Sequence, residues 1–152
     1  MLKYNFEDYN EYNVLKIPSL LILLNLYLLK YIVIFILPMI SKIAAVKMFA
    51  HEQFTVILLL PALPALIVLV AMIQRVPKSR YLRIIKQIWK IGRWLLLAGT
   101  VLEIIILCVY LLLDIKQFGQ ILLIFLYLDV MAIIYLLKSH RVQDVFAEFP
   151  TQ

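Results

Sequence analysis

Three ionisable residues stand inside long apolar runs of this 152-residue chain: Lys30, Glu103 and Asp129. A charge at the centre of a membrane helix costs about 2.5–3.5 kcal/mol even on a permissive insertion scale. Such groups face inward and pair as a buried network that fixes helix register, or exchange protons, or meet a partner subunit. Two acids against one amine leave a surplus negative charge, which is relieved if one acid holds a proton. Asn25, Tyr27, Tyr31, Tyr110, Tyr127 and Tyr135 lie in the same runs and are able to extend a polar network by hydrogen bonds. Other chemistry is poorly provided for. His51 and His140 fall outside the runs, and the lone Cys108 makes no internal disulfide. There is no HExxH, Cys pair, Gly-rich phosphate loop or consistent Ser/His/Asp set. The expectation is a chain without catalysis, metal or cofactor.

The elements that position these residues follow from composition. With 65% hydrophobic and 16% charged residues, a mean hydropathy of +0.99 and only 3 Gly, the chain is neither soluble and globular, nor disordered, nor collagen-like. About 20 apolar residues cross a hydrocarbon core, and four runs qualify: 18–40, 54–73, 94–113 and 118–137. They are continuous rather than alternating, so helices rather than barrel strands are expected. Residues 1–152 then form a single domain, an all-α antiparallel bundle of four membrane helices. At 1.5 Å per residue, Lys30, Glu103 and Asp129 lie about 12–18 Å from the cytoplasmic boundary of a roughly 30 Å core. Gly92, Gly99 and Glu103 share one helix face, and Ala132 lies beside Asp129, so small residues let neighbouring helices approach the acids. Pro61 and Pro64, in LLLPALPALI, predict a kink in the second span.

Basic residues set the orientation. Lys3, Lys16, Arg75, Lys78, Arg80, Arg83, Lys86, Lys90, Arg93, Lys138 and Arg141 fall on one side, against Lys42, Lys47 and Lys116 on the other. Both termini are therefore expected in the cytoplasm. The first span follows Glu7, Asp8 and Glu11 and lacks a small-residue cleavage site, so it reads as a retained helix.

Within 80–93, RYLRIIKQIWKIGR, the residues Arg80, Arg83, Lys86, Lys90 and Arg93 share a sector with Gln87, opposite Tyr81, Leu82, Ile84, Ile85, Ile88, Trp89 and Ile91. This split predicts an amphipathic interfacial helix, with Ser79 as a candidate N-cap after Pro77 and Gly92 allowing a bend into the third span. A continuous helix projecting into the cytoplasm is the competing picture. Its basic face, with Trp89, suits anionic lipid head groups or a partner, or else merely sets topology. The stripe is too short for a nucleic-acid role.

The N-terminal YNFEDYNEYNVLKIP and C-terminal HRVQDVFAEFP alternate aromatics with acids. Glu7, Asp8, Glu11, Asp144 and Glu148 are expected to dock near the 80–93 helix, with Phe6, Tyr9, Phe146 and Phe149 capping the bundle; solvated tails are the alternative. Tyr4, Asp8, Tyr9, Leu15, Lys16 and Pro18, the basic Lys30, Asp129 with Tyr135-Leu136-Leu137, and the terminal Asp144–Pro150 stretch resemble a family of small gammaproteobacterial inner-membrane proteins of the YfeZ type, a domain of unknown function. The resemblance spans essentially the whole chain. Lys30 stands where an Arg is expected, which keeps the charge and removes bidentate carboxylate pairing. The resemblance implies an inner-membrane location and four spans, and supplies no mechanism. The expected role is a non-catalytic accessory or assembly subunit that binds other membrane subunits or itself. A small proton- or solute-coupled transporter or channel using Lys30, Glu103 and Asp129 is the alternative.

Overall fold

The computed structural model describes residues 4–53, 55–76, 82–113 and 120–150. Pro77, Ser79 and Arg80 lie outside the described residues, so the expected cap at Ser79 and the expected site residue Arg80 are not placed.

Every named element among the described residues is helical: α1 (Ser19–Leu28), α2 (Lys30–Ile40), α3 (Ala44–Gln53), α4 (Ala62–Ile73), α5 (Leu82–Leu112), α6 (Gln120–Lys138) and α7 (His140–Ala147), with 3-10 turns at Phe6–Asp8 and Val56–Leu59. Tyr9 and Leu15 form one isolated antiparallel bridge that folds the N-terminal segment on itself. Two helical stretches are long and apolar enough to cross a membrane, Val56–Ile73 and Leu82–Leu112. The bent pairs α1 with α2 and α6 with α7 pass the same test when each is taken together, giving two to four candidate spans.

The first apolar run, expected as one span over 18–40, is two helices. The chain turns by 58° between α1 and α2. Leu29 leaves helical geometry at φ −84° and ψ 1°, and its N–H bonds back to Leu26 and Tyr27. No proline or glycine stands at this break, and the residue that restarts the helix is Lys30.

In the second run the prolines do something other than kink a helix. Pro61 is the N-cap of α4 and Pro64 its third residue. Both occupy the first turn, where a missing N–H forfeits no intrahelical bond. They mark the change from a 3-10 turn to α-helix.

The third run begins earlier than its apolar stretch. α5 is continuous for 31 residues, about 46 Å at 1.5 Å each, so the basic segment extends the span instead of lying across it as a separate interfacial helix. Gly92 is not a bend. An added Cβ there would sit 2.5 Å from Phe146 Cε1, so the glycine makes room for a ring.

Two helices were not anticipated. α3 falls in the first connection, and α7 follows α6 at 65°. Ser139 caps α7 by accepting the Val142 N–H at 3.3 Å, and Val142, Val145 and Phe146 give it a buried face.

The core is two clusters. The larger joins Leu15, Leu21, Leu28, Val68, Trp89, Leu96, Leu136 and Phe146; the smaller joins Tyr31, Leu58, Ile106, Leu107, Tyr110 and Leu122. α5 packs on α4, α6 and α7 and is the central element. Large apolar side chains also cover the exterior, with Leu112 82% and Ile40 78% exposed, a surface suited to lipid rather than to water.

Candidate functional site

The apolar helices converge on a charged centre. Lys30, at the start of α2, places Nζ 2.5 Å from Glu103 Oε1 of α5 and 3.9 Å from Asp129 Oδ1 of α6. Both carboxylates are fully buried, and the Lys30 side chain is 11% exposed. The ammonium also lies 3.8 Å from the centroid of the Tyr27 ring, 4.7 Å from Tyr31 and 5.1 Å from Phe125. Tyr27 and Tyr31 each meet Phe125 edge-on at 6.4 Å, so the three rings wall the cation. Desolvated cation–π contacts of this kind contribute about 2 kcal/mol. The Tyr27 hydroxyl lies 2.8 Å from Asp129 Oδ1 and 3.0 Å from the Phe125 carbonyl, both of which accept from it.

The surrounding helices explain how so polar a centre closes. Asn25 Nδ2 donates to the Ala65 carbonyl at 3.2 Å, fastening α1 to α4. Thr100 turns its hydroxyl back to the Leu96 carbonyl at 2.8 Å, satisfying itself one turn before Glu103. At Gly99 an added Cβ would lie 2.8 Å from the Pro61 carbonyl oxygen, so bare backbone contact brings α5 against the start of α4 beside the acid. Ala132 is buried and small on the Asp129 face of α6. Of the other polar candidates, Tyr31 and Tyr110 are buried, whereas Tyr127 is 65% exposed and stands apart from the centre. Cys108 is a half-buried free thiol.

A second polar knot forms at the opposite end of α1 and ties the chain termini together. Arg75, just past α4 and 6% exposed, donates through Nη1 to the Leu15 carbonyl and through Nη2 to the Glu148 carbonyl, each at 2.9 Å. Its guanidinium stacks 4.6 Å from the Trp89 ring centroid. Burial lowers Arg75 to about 10 and the Glu148 carboxylate opposes this, so the guanidinium stays charged at neutral pH. Trp89 Nε1 donates to the carbonyls of Val145 at 2.9 Å and Glu148 at 3.0 Å. Glu148 in turn accepts the Leu15 N–H at 2.9 Å, Arg141 pairs with Asp8 at 2.7 Å, and Tyr4 donates to Asp144 at 2.5 Å.

Several expectations change here. The tails dock on each other, on Arg75 and, through Trp89, on the 80–93 segment. Phe146 is buried against Trp89 at 4.7 Å, and Tyr9 and Phe149 pack on the same core, whereas Phe6 is 85% exposed and caps nothing. Trp89 is not a surface residue: at 1% exposure it faces protein with Ile85, whereas Ile84 and Ile91 of the same apolar sector are exposed. Arg83, Lys86 and Lys90 are exposed, and Arg93 is half-buried with its guanidinium 5.1 Å from the Trp94 ring centroid. Arg75 and Phe125 are the site residues that sequence reasoning missed, whereas Tyr27 extends the network by a hydrogen bond to Asp129, as expected. Tyr27 lies three residues before Lys30, a one-turn spacing that was a usable signal. Arg75 carried none beyond its place at the end of an uncharged run. Among the described residues no group of His, Cys, Asp and Glu is arranged to hold a metal ion.

A family described as "Protein of unknown function (DUF2919)" matches residues 4–148. The chain belongs to that family. The match takes in Lys30, Glu103 and Asp129, Arg75, and both tails as far as Glu148. No curated protein and no solved structure shows detectable similarity to it.

Proposed function

We propose that this chain is a non-catalytic integral protein of the bacterial inner (cytoplasmic) membrane that crosses four times and serves as an accessory or assembly subunit of a larger membrane complex. Contact between the two ends supports an even number of crossings with both termini on one side. Leu15 before α1, Arg75 after α4, Trp89 on α5 and Glu148 after α7 all meet there. The excess of basic residues outside the spans puts that side in the cytoplasm. The resemblance to the YfeZ-type family supports a gammaproteobacterial inner membrane.

The observation that carries the subunit reading is the contrast between charges inside and outside the membrane. Lys30, Glu103 and Asp129 meet within one chain and are shut away, so they lock helices together. The 31-residue α5 exceeds a roughly 30 Å core by about ten residues and presents Arg83, Lys86 and Lys90 to the exterior. That basic end suits anionic lipid head groups and acidic surfaces of neighbouring subunits, or a second copy of the chain. Purification in mild detergent at native expression is expected to bring down a stoichiometric partner; a lone monomer contradicts this reading.

One observation favours a second reading, a small proton- or solute-coupled transporter or channel: two buried carboxylates face one ammonium. Flux in liposomes, compared between the intact protein and Asp129→Asn or Glu103→Gln, separates the two. Flux that falls in either variant supports transport, and its absence in all three proteins removes it.

A further inference from the structure

The charges at the centre do not balance. Glu103 and Asp129 are both fully buried, and Lys30 is the one cation that reaches them among the described residues. The other titratable groups packed there are phenols, Tyr27 of α1, Tyr31 of α2 and Tyr110 of α5, which bring no cation. α4 carries no titratable side chain. A buried carboxylate without a partner is so costly that the group takes up a proton instead.

The hydrogen bonds show the same deficit. Glu103 Oε2 and Asp129 Oδ2 are buried oxygens with no hydrogen-bond partner among the described residues. If both groups are ionised, the unused Tyr31 hydroxyl beside the same ammonium supplies a donor to one oxygen at most, and the other has none. A proton on one carboxyl supplies a donor to the pair and removes the surplus charge together.

We propose that the triad is a proton-binding site in the membrane interior, in which Lys30 and Glu103 form the ion pair and Asp129 is an un-ionised carboxylic acid protonated on Oδ2. The ammonium selects Glu103, at 2.5 Å against 3.9 Å for Asp129. Asp129 Oδ1 already accepts from Tyr27, which leaves Oδ2 as the atom that binds the proton. The assignment holds whether the chain is an accessory subunit or a transporter, since it concerns which group is neutral and not whether the proton crosses the membrane.

The test is infrared spectroscopy of the full-length protein in lipid nanodiscs at neutral pH. The expected spectrum contains the C=O stretch of an un-ionised carboxylic acid. That band moves when aspartate carboxyl carbons are isotopically labelled, stays fixed when glutamate is labelled, and is lost in Asp129→Asn. Lys30→Met, which removes the cation, is expected to strengthen the un-ionised carboxyl signal. The labelling arm uses the unaltered chain, so it stands even if a variant fails to fold. Absence of the band, or a shift with labelled glutamate instead, overturns the assignment.

Discussion

Arg75→Ala is expected to untie both ends of the chain. The guanidinium makes two 2.9 Å bonds, to the Leu15 and Glu148 carbonyls. A bond from a charged donor contributes about 1.5–3 kcal/mol. The Glu148 carbonyl keeps its bond from Trp89, so only the fully buried Leu15 carbonyl is orphaned. Releasing a buried charge offsets part of the loss, leaving a net cost of about 3 kcal/mol. For a chain of this size that is a melting midpoint lower by about 6–12 °C. Arg75→Lys keeps the charge without the two-armed reach and is expected to restore about half of it. Arg83→Ala, on the exposed part of α5, should change nothing. Thermal unfolding in detergent measures the shift, and trypsin cleavage after Lys16 reports the freed N-terminal segment. A midpoint within about 2 °C of the unaltered protein, or full restoration by lysine, refutes the claim that Arg75 holds the termini.

Other substitutions test the packing. Gly99→Ala drives a Cβ to 2.8 Å from a backbone carbonyl, whereas Gly92→Ala meets a ring that is free to swing, so Gly99→Ala is expected to lower the melting midpoint more. Asp8→Ala breaks a partly exposed ion pair and should cost no more than about 1 kcal/mol, detectable as a midpoint shift far smaller than that of Arg75→Ala. Pro64→Ala, at the third residue of α4, should cost less than about 1 kcal/mol; a large loss of stability would mean that the proline acts as a kink inside a longer helix. Trp89→Phe removes the donor to the Val145 and Glu148 carbonyls and should lower the midpoint by several degrees, which a tryptophan facing lipid would not do.

The sequence shows the apolar runs and the three charges within them plainly, because run length and the cost of a buried charge need no tertiary information. The break at Leu29 was hidden, since neither proline nor glycine marks it, and it coincides with Lys30 turning in among α5 and α6. Pro61 and Pro64 pointed to a kink because composition does not reveal that a 3-10 turn precedes them. The pattern over 80–93 separated a basic from an apolar sector, but periodicity does not tell lipid from protein on the apolar side, and Trp89 faces protein. Arg75 read as a topology signal only, because its partners are backbone carbonyls from two distant segments, and carbonyls leave no mark in a sequence.

These features fit together physically. Buried charges join α2, α5 and α6, the knot around Arg75 closes the end where the termini meet, and the exposed basic end of α5 remains for contact with something else. In the subunit account, Arg83, Lys86 and Lys90 carry that contact. The direct test is copurification from native membranes in mild detergent, comparing the unaltered chain with Arg83→Glu, Lys86→Glu and Lys90→Glu combined. The account predicts a stoichiometric partner that is lost in the charge-reversed protein while its melting midpoint is unchanged. A chain that purifies alone in both forms, and conducts protons in liposomes, would contradict it.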